Sequence, residues 1–170
     1  MSATRHHPEL RANPALGGYS AGPGSGSGRV FASGLPPACS YGSTEMTVVD
    51  LPGTYSLSAN SPEERIARDF IVRERPDVVV AIVDATALER GLYLVAELLA
   101  LPAPVVVGLN MVDVAEGQGV QIEAHVLEAS LGIPVVAMSA ARNRGLGALL
   151  QAISRVAADP ASYSPRRPAI

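Results

Sequence analysis

Apolar residues gather along this chain in short Val-rich runs separated by amphipathic stretches, and the alternation becomes regular only from Thr44 onward. Strand-like runs occupy residues 46–49, 78–83, 105–109 and 135–138. Their nearly continuous β-branched character is that of strands covered on both faces, which predicts parallel pairing. Between them the spacing changes to that of helices. Residues 62–75 open with Ser61 as N-cap, Pro62 at the first helical position and Glu64 three residues after the cap. Residues 86–101 carry Leu88, Leu92, Val95 and Leu99 at helical spacing. Residues 121–131 place Ile122, Val126 and Ala129 on one face, and residues 145–158 do the same with Leu146, Leu149, Leu150, Ile153 and Val156. Four strand-then-helix units with short connections predict an α/β fold, a doubly wound, mostly parallel sheet with helices on both faces.

The flanks are different material. Residues 13–43 contain eight Gly, four Pro and six Ser, too little apolar area to offset chain entropy, so 1–43 is expected to lack stable structure. The one strand-like hint inside it is residues 29–32. A tail over 159–170, with three Pro and two Arg from Pro160 on, is expected to be disordered as well. That leaves a single folded domain over 44–158. Its chain is 48% hydrophobic, ample for a core, and its net charge of −3 makes no case for nucleic-acid binding. All thirteen basic side chains are Arg, and Lys is absent. A single Cys, Cys39, excludes an internal disulfide framework. His6 and His7 stand side by side with no acidic or Cys partner at ligand spacing. The opening residues have no apolar h-region, so no secretory signal is expected, and no apolar run approaches the ~18 residues of a membrane span.

In sheets of this kind ligands sit at the carboxyl ends of the strands. The first run ends in Asp50-Leu51-Pro52-Gly53, the second in Asp84-Ala85-Thr86, the third in Asn110-Met111-Val112-Asp113 and the fourth in Ser139-Ala140-Ala141. D-x-x-G after a strand places a carboxylate near Mg²⁺ and a glycine amide near a terminal phosphate, as in P-loop GTPases. N-x-x-D followed by S-A is a guanine-reading arrangement. The Asp113 carboxylate can accept from N1–H and N2–H₂ together, which adenine cannot supply, and a buried acceptor left unpaired rejects the wrong base. Asn110 can tie its loop to a neighbour, and an amide near Ala140 can face O6. Asp84 reads more simply as the cap of the helix that follows it. His125, Arg65 and Arg68 read as solvated surface, and Tyr55 as a packing residue of the D-x-x-G segment.

With these motifs in place the chain resembles the G domain of the bacterial ferrous iron transport protein B (FeoB) family. The resemblance is carried by V-V-D-L-P-G-T-Y-S-L-S at 48–58, S-P-E-E-R-I-A-R-D-F at 61–70, I-V-D-A-T-A-L-E-R-G-L-Y-L at 82–94, G-L-N-M-V-D at 108–113 and A-M-S-A-A-R at 137–142. Met111, where most GTPases have Lys, is characteristic of that family. The resemblance covers about 44–158 and implies a P-loop GTPase fold, incomplete at its amino-terminal end. It implies GTP or GDP as ligand, slow GTP hydrolysis, Mg²⁺, and regulation of Fe²⁺ uptake through a membrane channel. On this basis Asp50, Leu51, Pro52 and Gly53 form the Mg²⁺/γ-phosphate switch, with Asp50 the metal ligand. Asn110, Met111, Val112, Asp113, Ser139, Ala140 and Ala141 form the base site. The implied partner is a ferrous iron transporter membrane subunit, and the implied place is the cytoplasm, peripheral to the inner membrane through that partner.

The family opens with a strand followed by G-N-P-N-x-G-K-[ST], whose Lys reaches the phosphates. A chain without Lys departs there; the nearest counterpart, residues 13–20, has Gly18 at the Lys position and Tyr19 at the hydroxyl position. By analogy the missing strand is central in the sheet, between those ending at Asp50 and Asp84. Those two must then pair directly, recruit residues 29–32, or leave ladder groups unpaired. Two alternatives therefore stay beside the GTPase reading: a nucleotide-dead module that binds a partner, and a truncated gene fragment.

Overall fold

The computed structural model describes residues 2–5, 38–41, 44–58 and 60–166. Six strands form one sheet: β1 (Ser2–Arg5), β2 (Ala38–Tyr41), β3 (Thr44–Asp50), β4 (Val78–Asp84), β5 (Val105–Asn110) and β6 (Val135–Ala137). Its order is β2-β3-β1-β4-β5-β6. Five helices accompany it: α1 (Pro62–Glu74), α2 (Leu88–Leu99), α3 (Val112–Gly117), α4 (Ala124–Leu131) and α5 (Leu146–Ala158).

Strands β4, β5 and β6 pair in parallel, as their Val runs predict. The amino-terminal half differs from expectation. β3 has antiparallel partners on both sides, β2 and β1, rather than parallel ones. The gap between β3 and β4 is filled by none of the three expected routes. β1 occupies it, pairing antiparallel with β3 from Ser2↔Asp50 to Arg5↔Thr47 and with β4 from Ser2↔Val80 to Thr4↔Val78. Four residues suffice because facing strand edges at this separation offer donors and acceptors to any extended segment, whatever its side chains. β1 and β2 both lie inside the stretch expected to lack structure. Residues 13–20 and 29–32, with His6 and His7, lie outside the described residues.

Alternation along β4 divides the core into two layers. Val79, Ala81 and Val83 pack with Ala67 and Ile71 of α1 and with Val95, Leu98 and Leu99 of α2. Val78 and Val80 face the other way, with Val106 and Met138 against Leu149, Ala152, Ile153 and Val156 of α5. Ile82 continues that second face, yet 42% of it is exposed.

The helix boundaries follow their local chemistry. Ser61 accepts from the Glu64 N–H at 3.1 Å while the Glu64 carboxylate accepts from the Ser61 N–H at 3.3 Å, a complete capping box with Pro62 inside it. α4 starts at Ala124, and of the expected face Ile122, just before the helix, packs on the core while Val126 and Ala129 are exposed. Ala124, Leu127 and Leu131 pack on the core, whereas Val126 is 47% exposed. The tail is held as well: the Tyr163 hydroxyl accepts from the buried Val105 N–H at 2.9 Å, and the Arg166 N–H donates to the Leu131 carbonyl at 2.8 Å.

Candidate functional site

The three motif-bearing segments meet at the carboxyl end of the sheet. β3 delivers Asp50 to the surface, followed by buried Leu51, half-buried Pro52 and exposed Gly53. A Cβ added at Gly53 would meet nothing within 4 Å, so the protein's own packing does not demand glycine there. The next turn is anchored from two helices. The Glu97 carboxylate of α2 accepts from the Leu57 N–H and from the Ser56 hydroxyl, the latter at 3.3 Å, and Arg68 of α1 donates to the Leu57 carbonyl at 3.4 Å. Tyr55 is 67% exposed rather than packed inside, and the Arg90 guanidinium lies 4.5 Å from its ring centroid. Glu97 and Arg90 were not singled out from the sequence. They share α2 with apolar residues at helical spacing, and nothing in that pattern marks the polar side that meets the loop.

Asp84 acts as a cap, accepting from the Thr86 N–H at 2.8 Å and the Thr86 hydroxyl at 2.7 Å. The β1 register on β4 stops at Val80. Beyond it opens a cavity of about 310 Å³. Thr54, Tyr55, Asp84, Arg90, Asn110 and Met111 are among its lining residues, so the D-x-x-G loop and the start of the N-x-x-D loop border one space.

On the N-x-x-D side, Asn110 closes β5 and its Oδ1 accepts from the Ala140 N–H at 3.0 Å. That bond ties the β5 loop to the β6 loop, as its motif suggests, and it engages the Ala140 amide itself. Met111 sits at φ 63°, a left-handed turn that starts α3 and costs a non-glycine residue about 1–2 kcal/mol. Its amide neighbour Val112 donates to the Met138 carbonyl at 3.4 Å, and Met138 donates back to Leu109 at 2.8 Å. Asp113, in the first turn of α3, is held beside Ser139, which is 2% exposed. The Ser139 hydroxyl, then the Arg142 guanidinium and the amides of Asp113 and Val114, hold its carboxyl below the usual range, while desolvation opposes them. Arg142 Nε lies 2.9 Å from Asp113 Oδ2, in a pair where the Asp113 side chain is 11% exposed and the Arg142 side chain 64%. The loop carrying Ser139, Ala140, exposed Ala141 and Arg142 is closed by reciprocal Ser139–Arg144 backbone bonds, both 3.0 Å.

A Mg²⁺ ion commonly takes one or two carboxylates, phosphate oxygens and water. Exposed Asp50 fits as one such hard ligand. Among the described residues no group of three His, Cys, Asp or Glu side chains is placed to hold a metal ion, and no helix is long and apolar enough to cross a membrane.

Comparison with known proteins places the chain and its fold. A family profile described as "Ferrous iron transport protein B" matches residues 37–153. The Fe(2+) transporter FeoB of Escherichia coli K12 is 46% identical over 119 residues, 68% of this chain and 15% of the transporter, so the chain spans a small part of that relative's length. The FeoB G-domain structure from Methanococcus jannaschii is 45% identical, with a TM-score of 0.70 over 75% of this chain and 81% of that one. The cytosolic domain of the T. maritima FeoB iron transporter in its GMPPNP form is 34% identical, with a TM-score of 0.68 over 73% of this chain and 50% of that one.

Proposed function

Because the chain belongs to the ferrous iron transport protein B family and has the fold of its G domain, we propose that it is a guanine-nucleotide-binding domain acting on the cytosolic side of a membrane in ferrous iron transport. The observation that carries this reading is the base site. Asp113 is kept ionised beside buried Ser139, and the Asn110–Ala140 bond joins the two loops that would flank a purine. An ionised, largely enclosed carboxylate accepts from guanine N1–H and N2–H₂ and offers adenine no donor partner. Met111 contributes an apolar, 37% exposed side chain beside the same cavity. Asp50 would hold Mg²⁺, which when bound neutralises charge on the phosphates.

The reading is of binding first. Within these 170 residues no Lys is present to reach a β/γ-phosphate. β1 runs antiparallel to β3 and β4, so its carboxyl end, at Arg5, lies at the edge away from Asp50 and Asp84. Both observations favour nucleotide capture through the base with little or no hydrolysis. Coupling to iron flux would then run through a membrane-embedded partner that senses the occupied domain.

The test is a titration of the purified chain with a fluorescent guanine nucleotide and Mg²⁺, alongside the adenine analogue and Asp113→Ala. Saturable guanine-selective binding that the variant loses supports the reading. A folded wild-type protein, verified by circular dichroism, that binds neither nucleotide refutes it and leaves a partner-binding module.

A further inference from the structure

The Asp113 carboxylate that would read guanine already has an occupant. Arg142 Nε donates to Asp113 Oδ2 at 2.9 Å, and the Ser139 hydroxyl bonds the same carboxylate. Guanine needs both carboxylate oxygens, one for N1–H and one for N2–H₂, so its edge and the Arg142 guanidinium claim the same acceptor. The two partners are unequal in mobility. Ser139 is 2% exposed and pinned by its backbone bonds to Arg144, whereas the Arg142 side chain is 64% exposed and belongs to a 3₁₀ turn, 140–142, that ends at Asn143 with φ 52°. Ser139 is therefore built to stay and Arg142 to leave.

We propose that Arg142 is an affinity-setting residue of the base site, an internal competitor that holds Asp113 when no base is bound and must release it when guanine enters. This rests on the guanine-binding reading above. Its chemistry is specific. The displaced guanidinium swings into water at small loss because most of it is already hydrated, so the competitor weakens binding without closing the site. An ion pair with one partner in solvent shifts an equilibrium by about two- to fivefold. Salt screens the pair but not an uncharged ligand, so the competition fades as ionic strength rises.

The experiment uses guanosine, which carries no phosphate, titrated into the full chain and followed by ligand-observed NMR at low and high salt. Wild type, Arg142→Gln, Arg142→Lys and Asp113→Ala are compared, each checked for folding by circular dichroism. The expected result is about two- to fivefold tighter binding in Arg142→Gln, salt-strengthened binding in wild type, salt-independent binding in Arg142→Gln, and retained competition in Arg142→Lys. Equal or weaker binding in Arg142→Gln, with wild-type binding intact and lost in Asp113→Ala, overturns the competitor and makes Arg142 a support for the site. Absence of binding in folded wild type and Arg142→Gln alike overturns the guanine reading itself, and the competitor with it.

Discussion

Gly91 lies within α2, where glycine is a poor choice for a helix interior, and its replacement by Ala sets two effects of known size against each other. In an exposed helix Gly→Ala is worth about 1 kcal/mol of added stability. Here a Cβ at position 91 would press into Val83 Cγ1 well inside contact distance and lie 3.1 and 3.2 Å from Val83 Cβ and Cγ2. Val83 is 2% exposed and its β-branched side chain is stiff at χ1, so it cannot rotate aside as a long side chain would. Overpacking of such a contact costs about 1–3 kcal/mol, and the stiffness of Val83 puts this case in the upper half, for a net loss of about 1–2 kcal/mol in Gly91→Ala. Removing the obstacle reverses the sign. In a Val83→Ala background only the 3.1 Å approach to Cβ remains, so the same substitution is expected to stabilise by up to about 1 kcal/mol, giving a coupling of about 1–3 kcal/mol between the two positions. Urea unfolding of the four proteins, followed by circular dichroism with Cm and m both fitted, measures the cycle. A Gly91→Ala protein as stable as wild type, or effects that add within about 0.5 kcal/mol, would refute the steric argument.

Tyr163→Phe removes the hydroxyl that accepts from the buried Val105 N–H; it is expected to lower the unfolding free energy by about 1–3 kcal/mol, read from urea denaturation, while a change within about 0.3 kcal/mol would mean this bond contributes nothing. Glu97→Ala strips the acceptor from the Leu57 amide and the Ser56 hydroxyl. Limited proteolysis should then cut within residues 51–58 faster than in wild type, with global stability little changed. The lowered Asp113 pKa has a definite sign: its stabilisation is present above the unfolded value of about 3.8 and is lost as pH falls through the lower folded value. NMR titration of the carboxylate should show its midpoint rising in Ser139→Ala and less in Arg142→Gln, the Ser139 hydrogen bond being the larger cause; the reverse order would misassign it.

What could be read from the sequence was what local chemistry decides. The Val runs announced β4, β5 and β6, because residues buried on both faces must be apolar throughout. The Ser61, Pro62 and Glu64 triplet located the start of α1 through bonds made within four residues, and Asp84 was recognisable as a cap for the same reason. The α4 face was misjudged because its spacing was counted from Ile122, which packs on the core from just before the helix, whereas within the helix Ala124, Leu127 and Leu131 recur at the spacing of one face and turn inward. β1 was illegible. S-A-T-R has Ala3 as its one apolar residue, too little to mark a strand, and its place is decided by two distant strand edges that need a partner. At the site, the motifs located Asn110, Asp113 and Ser139 at their strand ends. Arg142 against Asp113 and Glu97 beneath the D-x-x-G loop are tertiary pairings between side chains that each look merely solvated along the chain.

The antiparallel seat of β1 also bears on how the molecule opens. Among the described strands β1 alone links the β2–β3 hairpin to the parallel β4–β5–β6 unit, and it does so by joining Ser2 to Val80 across most of the intervening chain. Such pairings are slow to form, because loop closure must precede any reward, and a strand with only three to four paired residues on each side has few bonds to hold it when the fold fluctuates. The sheet therefore has its seam at the centre instead of at an edge. Amide exchange along the Asp50 side of β1 and the Val78–Val80 side of β4 should proceed together, as one cooperative parting, while the ladder between β4 and β5 stays closed.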